Sequence, residues 1–260
     1  MPRRRIEVKP QMDSVKTALE VLEQVGAGGE VGVSELARAV GAPKSTIQRD
    51  LVTLHEAGWI RPVGLGGRRR WTLSSKVLAL ARRFQPALRL REHALPVMEE
   101  LRDLTRETIH LTLREGDRVV LIERLDSPQT LRTVRQLGAT TPLHAASNGK
   151  AVLAWLSPAE RAAYLARPLP AFTPRTLTDP AALERDLEAI RARGYSLSAG
   201  ELDLDVRAVA AAIRLASGEP IAALSISCPA LRFPDEKTSQ YGDWVRQAAA
   251  RISVALAEGG

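Results

Sequence analysis

At 260 residues the chain is long enough for two domains, since a single core commonly belongs to roughly 100–200 residues. Its formal net charge is +7, with 12 basic against 8 acidic residues through Ser75 and 25 against 22 after it; this denser N-terminal excess favours a polyanionic partner. The lone Cys228 excludes an intrachain disulfide, and no signal-peptide core or run of 18 apolar residues occurs, so a soluble cytoplasmic protein is expected.

Arg3, Arg4 and Arg5 open the chain, either as an arm reaching along DNA or as a flexible terminus. Val15, Ala18, Leu19, Leu22 and Val25 then predict an amphipathic helix. A short helix burying Leu36, Ala37 and Val40 stops at Gly41, because glycine tolerates the positive φ of a helix C-terminus. Pro43 suits the first turn of the next helix, where Ile47, Leu51 and Leu54 form one apolar stripe. The opposite face carries Lys44, Ser45, Gln48, Arg49 and Val52. Lys and Arg suit phosphate or guanine, Gln suits adenine, and a helix start suits phosphate. A helical hairpin with a solvated face is the bland alternative. Against it, residues 59–63 and 68–73 read as a hairpin with a basic tip, Arg68, Arg69 and Arg70, which makes a winged helix-turn-helix. The expected DNA contacts are Lys44, Ser45, Thr46, Gln48, Arg49, Arg68, Arg69 and Arg70.

The winged domain is expected over 1–75, a linker helix over 76–91 with a break near Pro86, and a second domain over 92–260. Within the last, residues 108–114 and 118–125 flank Glu115-Gly116-Asp117 as a hairpin, and 131–134 are expected to add a third strand. Helices follow over 151–156, 159–166 and 181–193, then strands over 195–199, 208–215 and 221–228, and a helix from about residue 235 to 258. That order predicts an α+β domain, an antiparallel sheet flanked by helices. His55, His93, His110 and His144 are scattered with no cysteine or acidic cluster at ligand spacing, so neither a metal nor another cofactor is expected.

Ser14-Val15-Lys16-Thr17-Ala18-Leu19-Glu20-Val21-Leu22, Ser34-Glu35-Leu36-Ala37, Pro43-Lys44-Ser45-Thr46-Ile47-Gln48-Arg49, Pro142-Leu143-His144-Ala145 with Gly149-Lys150-Ala151, Arg193-Gly194-Tyr195 and Ala222-Ala223-Leu224-Ser225-Ile226-Ser227 stand in an order that resembles the IclR family of bacterial transcriptional regulators, over nearly the whole chain. The resemblance implies a C-terminal effector domain of the GAF/PAS type, a homodimer or dimer of dimers, palindromic double-stranded operator DNA, a small organic acid effector and, more often than activation, repression. It places the effector in a cup formed by the sheet and the loop before the Gly-Lys-Ala helix, and implies a site of Gly138, Ala145, Ala146, Ser198, Glu201, Val206, Ala208, Ser225 and Ser227. Strand alternation puts Ser225 and Ser227 on one face, where they either hold a ligand or bond neighbouring backbone. Ser147 or Asn148 is expected to cap the helix, whose first amides favour a carboxylate.

His144 either meets that carboxylate or sits at the surface. Lys150 either attracts an anion or satisfies backbone. The chain departs from the family pattern at Ala208, where a cysteine is common, at Ser198, where an acid is frequent, and at Asp50, where an apolar residue is usual.

An enzyme fused to a DNA-binding module is the competing reading, and a ligand-independent architectural DNA binder a third. Against the enzyme, the chain has no Ser/His/Asp arrangement or phosphate loop, and Cys228, followed by Pro229, reads as a small packed residue.

Overall fold

The structure is a computed structural model, and the residues it describes are 13–64, 69–83 and 85–258. Arg3 to Arg5, Arg68 and the hairpin tip at 65–67 lie outside them. The chain divides into two compact units between Gln85 and Pro86.

In the first unit, α1 (Asp13–Gly28), α2 (Val33–Val40) and α3 (Lys44–Glu56) precede an antiparallel hairpin of β1 (Ile60–Val63) and β2 (Arg70–Leu73) and a short α4 (Lys76–Ala81). Their core is Val21, Val25, Leu36, Ile47, Leu51, Leu54, Ile60 and Trp71. The expected stripe of α1 is corrected here: Val15 and Leu19 are exposed, while Val21, absent from that stripe, is buried with Val25. At about 100° per residue, Val21 and Val25 share a face that Ala18 and Leu22 flank, while Val15 lies about 100° and Leu19 about 140° from its centre. Gly41 ends α2 at φ 72°, its amide bonded to Ala37 O, and Pro43 stands at the N-cap of α3 rather than within its first turn.

In the second unit, α5 (Gln85–Thr105) keeps Pro96 in its interior and has Pro86 in its first turn, where a missing N–H leaves no bond unmade. The sheet is six-stranded and antiparallel in the order β5-β4-β3-β8-β7-β6, from β3 (Thr108–Glu115), β4 (Arg118–Leu125), β5 (Thr140–Pro142), β6 (Ser196–Ala199), β7 (Val206–Arg214) and β8 (Pro220–Pro229). The expected strand at 131–134 does not form: Leu131 and Val134 are each 59% exposed on an irregular segment, and β5 supplies the edge by pairing with Arg118 to Val120 of β4.

Alternation gives the sheet two distinct faces. Ile109, Leu111, Val209, Ile213, Leu224 and Ile226 pack beneath α5 and α9 (Lys237–Glu258). Ala210 and Ala223 point the other way, into a second core with α6 (Ser147–Ala154), α7 (Pro158–Leu165) and α8 (Pro180–Arg193). Further along β3, β7 and β8, that same face carries His110, Ala208, Ser225 and Ser227, which line a concavity.

The seating of α6 depends on Gly149, where an added Cβ would stand 2.5 Å from the Leu143 carbonyl oxygen. Gly149→Ala is expected to destabilise the protein by about 1–3 kcal/mol through overpacking against backbone, read as a lower denaturant midpoint at unchanged slope.

Candidate functional site

The outward face of α3 is open. Lys44, Ser45, Gln48, Arg49 and Val52 are exposed and Thr46 is half-buried, while Ile47, Leu51 and Leu54 hold the helix to its core. No side chain caps its N-terminus, so the first amides stay free for an anion.

Arg70 does not join that surface. Its guanidinium bonds both carboxylate oxygens of Glu35, at 2.9 and 3.2 Å, and the Glu30 carbonyl, tying the wing to the start of α2. The Gly32 amide and Arg70 together hold the Glu35 carboxyl below the usual carboxylate range. Arg69 lies 5.8 Å from the Trp71 ring centroid, without a carboxylate partner among the described residues. On the inner side of α3, Asp50 is buried with Oδ2 unbonded; burial raises its pKa and the neighbouring Arg49 charge opposes the rise.

The second unit contains a cup of about 630 Å³. Ala146, Ser198, Val206, Ala208, Ser225 and Ser227 of the expected site line it, and Gly138, Ala145 and Glu201 do not. Gly138 makes a turn, at φ 83°, with its amide on the Leu121 carbonyl. Ala145 is fully buried behind the wall, and Glu201 is turned onto Lys150.

Lys150 meets a backbone carbonyl, though in β6 and not near the helix start, and faces carboxylates of the protein itself: its side chain is 1% exposed, and its ammonium lies 2.7 Å from Glu201 Oε1 and 2.8 Å from Asp186 Oδ2 and donates to Leu197 O at 2.8 Å. Burial raises the Glu201 pKa, Lys150 opposes the rise and Asp186 adds to it. His144 is likewise internal. Its Nδ1 pairs with the Tyr164 hydroxyl and its Nε2 with the Pro170 carbonyl, each at 2.9 Å, so Nε2 carries the proton. Ala146, rather than Ser147 or Asn148, is the N-cap of α6, so no side chain caps the first amides at the cup wall.

Several cup residues escaped the sequence reading. His110 stands opposite Ser225 in the β3–β8 register, and its Nε2, Ser225 Oγ and Asn148 Oδ1 are buried without a hydrogen-bond partner. An unmet buried polar group costs about 1–3 kcal/mol. Burial, with the charges of Arg135 and Arg124, pushes the His110 pKa down to about 3, so the ring is neutral at physiological pH. Strand alternation could have found His110. No periodicity marks Arg135, which reaches the cup from the irregular segment. Cys228 is fully buried on the opposite face, its thiol pushed up to about 12 chiefly by burial, as befits a packed residue.

Residues 86–254 match the C-terminal domain of the bacterial transcriptional regulator IclR, and residues 14–64 match the IclR helix-turn-helix domain. The chain belongs to the IclR family. It is 32% identical over 252 residues to the acetate operon repressor of Salmonella typhimurium, covering 95% of this chain and 91% of that one. The crystal structure of the Thermotoga maritima IclR superposes with a TM-score of 0.77 at 30% identity, over 95% of this chain and 99% of that one. An IclR homolog from Microbacterium hydrocarbonoxydans, complexed with 4-hydroxybenzoate, gives 0.74 at 31%, over 94% and 98%. As an IclR-family member the protein is a DNA-binding transcriptional regulator and not an enzyme. No helix among the described residues is long and apolar enough to cross a membrane.

Two stability tests follow from the buried charges. Lys150→Met strands two carboxylates and is expected to lower stability by about 3–5 kcal/mol, measured by chemical denaturation. Burial lifts the Asp50 carboxyl above its ordinary 3.8, so its ionisation opposes folding only as pH rises past that value. Asp50→Asn is therefore expected to stabilise the protein by about 1 kcal/mol at neutral pH, with the gain vanishing below pH 3.8, as thermal unfolding at both pH values will read.

Proposed function

We propose that the protein is a cytoplasmic, sequence-specific repressor that binds palindromic operator DNA as a homodimer or dimer of dimers and is controlled by a small organic acid held in the cup. The observation that carries the effector half is the group of buried, unpartnered polar atoms lining the cavity, His110 Nε2, Asn148 Oδ1 and Ser225 Oγ. Native interiors rarely leave such atoms unmet, and a bound polar ligand resolves them. The uncapped start of α6 adds donors suited to an anion. Relatives named as repressors, and a structural neighbour complexed with an organic acid, support the same reading.

On the DNA side, the exposed face of α3 supplies the readers. Gln48 and Arg49 reach base edges, Lys44, Ser45 and Thr46 serve phosphates near the helix start, and Arg69, with Arg68 of the wing, follows the backbone. Ala146, Ser198, Val206, Ala208, Ser225 and Ser227 surround the effector. Effector and operator are then energetically linked, each changing the other's affinity by the same factor.

Fluorescence anisotropy of the full chain with its own upstream intergenic DNA, against scrambled DNA at fixed salt, tests this directly. Gln48→Ala is expected to relax preference at one base position by about 1–3 kcal/mol, and Arg49→Ala to weaken binding. One carboxylic acid from a panel is expected to shift the operator affinity. Equal affinity for scrambled DNA, or two variants that bind as the wild type does, would sink the reader assignment.

A further inference from the structure

The cup contains a cation that the protein leaves without a counter-charge in contact. Arg135 lines the cup from the segment between β4 and β5; its guanidinium donates to Thr141 Oγ1 at 3.2 Å, and among the described residues no carboxylate comes within 4.0 Å of it. Of the arginines near it, Arg132 also lines the cup but is exposed, and Arg124 is paired with Asp126 at 2.6 Å. Arg135 is partly buried, and burial lowers its pKa while the more distant Asp203 opposes the fall. A guanidinium removed from water in this way, with most of its donors unused, is a fork shaped for a planar carboxylate.

Elsewhere in the same cavity the unmet groups are uncharged. His110 is 5% exposed and Ser225 1% exposed; they face each other across β3 and β8, and neither Nε2 nor Oγ has a partner. A neutral imidazole nitrogen and a hydroxyl are both met by another hydroxyl, which donates and accepts at once. A methyl meets neither. Much of the remaining wall is apolar, from Val119, Leu121, Val134, Val206 and Ala208, and the 630 Å³ of space equals about twenty waters at ~30 Å³ each, far more than a two- or three-carbon acid fills. Asp203 and Asp205 also line the cup and disfavour a second negative charge.

We propose that Arg135 is the specificity-determining residue of the cup and that the effector is a monocarboxylate with a ring-sized apolar body and a hydroxyl at its far end, the carboxylate on Arg135 and the hydroxyl between His110 and Ser225. This rests on the cup being the effector site. It narrows the organic acid to one charge, one apolar body and one hydroxyl.

The test is calorimetric titration of the full-length protein with four probes: 4-hydroxybenzoate, benzoate lacking the hydroxyl, 4-cresol lacking the carboxylate, and terephthalate carrying a second carboxylate. Wild type is expected to bind 4-hydroxybenzoate most tightly of the four. Arg135→Met, checked for unchanged thermal unfolding, is expected to lose about tenfold or more for both monocarboxylates while 4-cresol affinity holds; Arg135→Lys restores part of the loss. Ser225→Ala is expected to weaken 4-hydroxybenzoate and leave benzoate unchanged.

Acid affinity untouched in Arg135→Met, 4-cresol binding as tightly as 4-hydroxybenzoate, or no probe binding at millimolar concentration each overturns the proposal. Operator anisotropy separates it from the broader reading. Probes that bind with the expected selectivity yet leave operator affinity unchanged support Arg135 as the selector and remove the effector's control of DNA. Operator affinity that responds equally to acids in wild type and Arg135→Met keeps the control and removes Arg135.

Discussion

The buried ammonium of Lys150 is the interaction on which the geometry of the second unit turns. An amine with 1% exposure is tolerable only if surrounded by acceptors, and here they come from three separate parts of the chain: Asp186 of α8, Glu201 beyond β6, and the Leu197 carbonyl within β6. Because Lys150 itself belongs to α6, meeting its charge fixes that helix against its neighbours and so aims its first turn at the cup. The same demand explains why Glu201 is withheld from the cavity. Its carboxylate neutralises the lysine and holds the 201–205 turn, which brings Asp203, Asp205 and Val206 to the cavity. Arg193 stands 3.7 Å from the other Asp186 oxygen and extends the network to the end of α8.

The cup exists because the helices on that side of the sheet, of 8, 8 and 14 residues against 21 and 22 on the other, are too short to cover it. On one face, α5 and α9 bury Ile109, Leu111, Ile213, Leu224 and Ile226 in a continuous core. On the other, α6 and α8 reach Ala210 and Ala223, whose small side chains allow close approach. Beyond them along the strands the facing residues change in kind, to His110, Ser225, Ser227 and Ala208. These side chains are small or polar, the composition of a wall and not of a helix seat.

Much of this was legible from the residues. Gly41 before Pro43, and Ile47, Leu51 and Leu54 at helical spacing, specify α2, α3 and the outward face between them because turn chemistry and apolar period agree. Alternation along β8 separated Ser225 and Ser227 from the core residues between them for the same reason. Failures occurred where a side chain answers to distant partners. Leu131 and Val134 look like strand residues by type, yet they edge a cavity, and local propensity carries no information about that. Arg70 sits beside Arg69 in an apparently uniform basic tip, but Glu35, 35 positions earlier, claims it. The roles of Lys150 and His144 are set by Glu201 and Tyr164, 51 and 20 residues away. Arg135 belongs to a segment with no period at all, so nothing in its sequence neighbourhood directs it inward.

Among the described residues, four of the eight buried polar atoms without a hydrogen-bond partner fall on α3 and at the cup, and the other four belong to Asp186, Glu201, Arg207 and Thr238. Asp50 carries an unmet oxygen on α3, and His110, Asn148 and Ser225 carry unmet atoms at the cup. Sites that violate local consistency tend to be those under functional constraint. The two cases differ in their remedy. Removing the Asp50 charge removes its penalty, so protonation or substitution relieves it. The cup's atoms keep their penalty across the physiological pH range, since the histidine is already neutral there and serine and asparagine do not titrate. A bound molecule with matching donors and acceptors would meet them, and its binding would stabilise whichever state of the protein holds the cup in this shape. A regulator needs that asymmetry: a term in its free energy that a small molecule can change while ambient acidity leaves it in place.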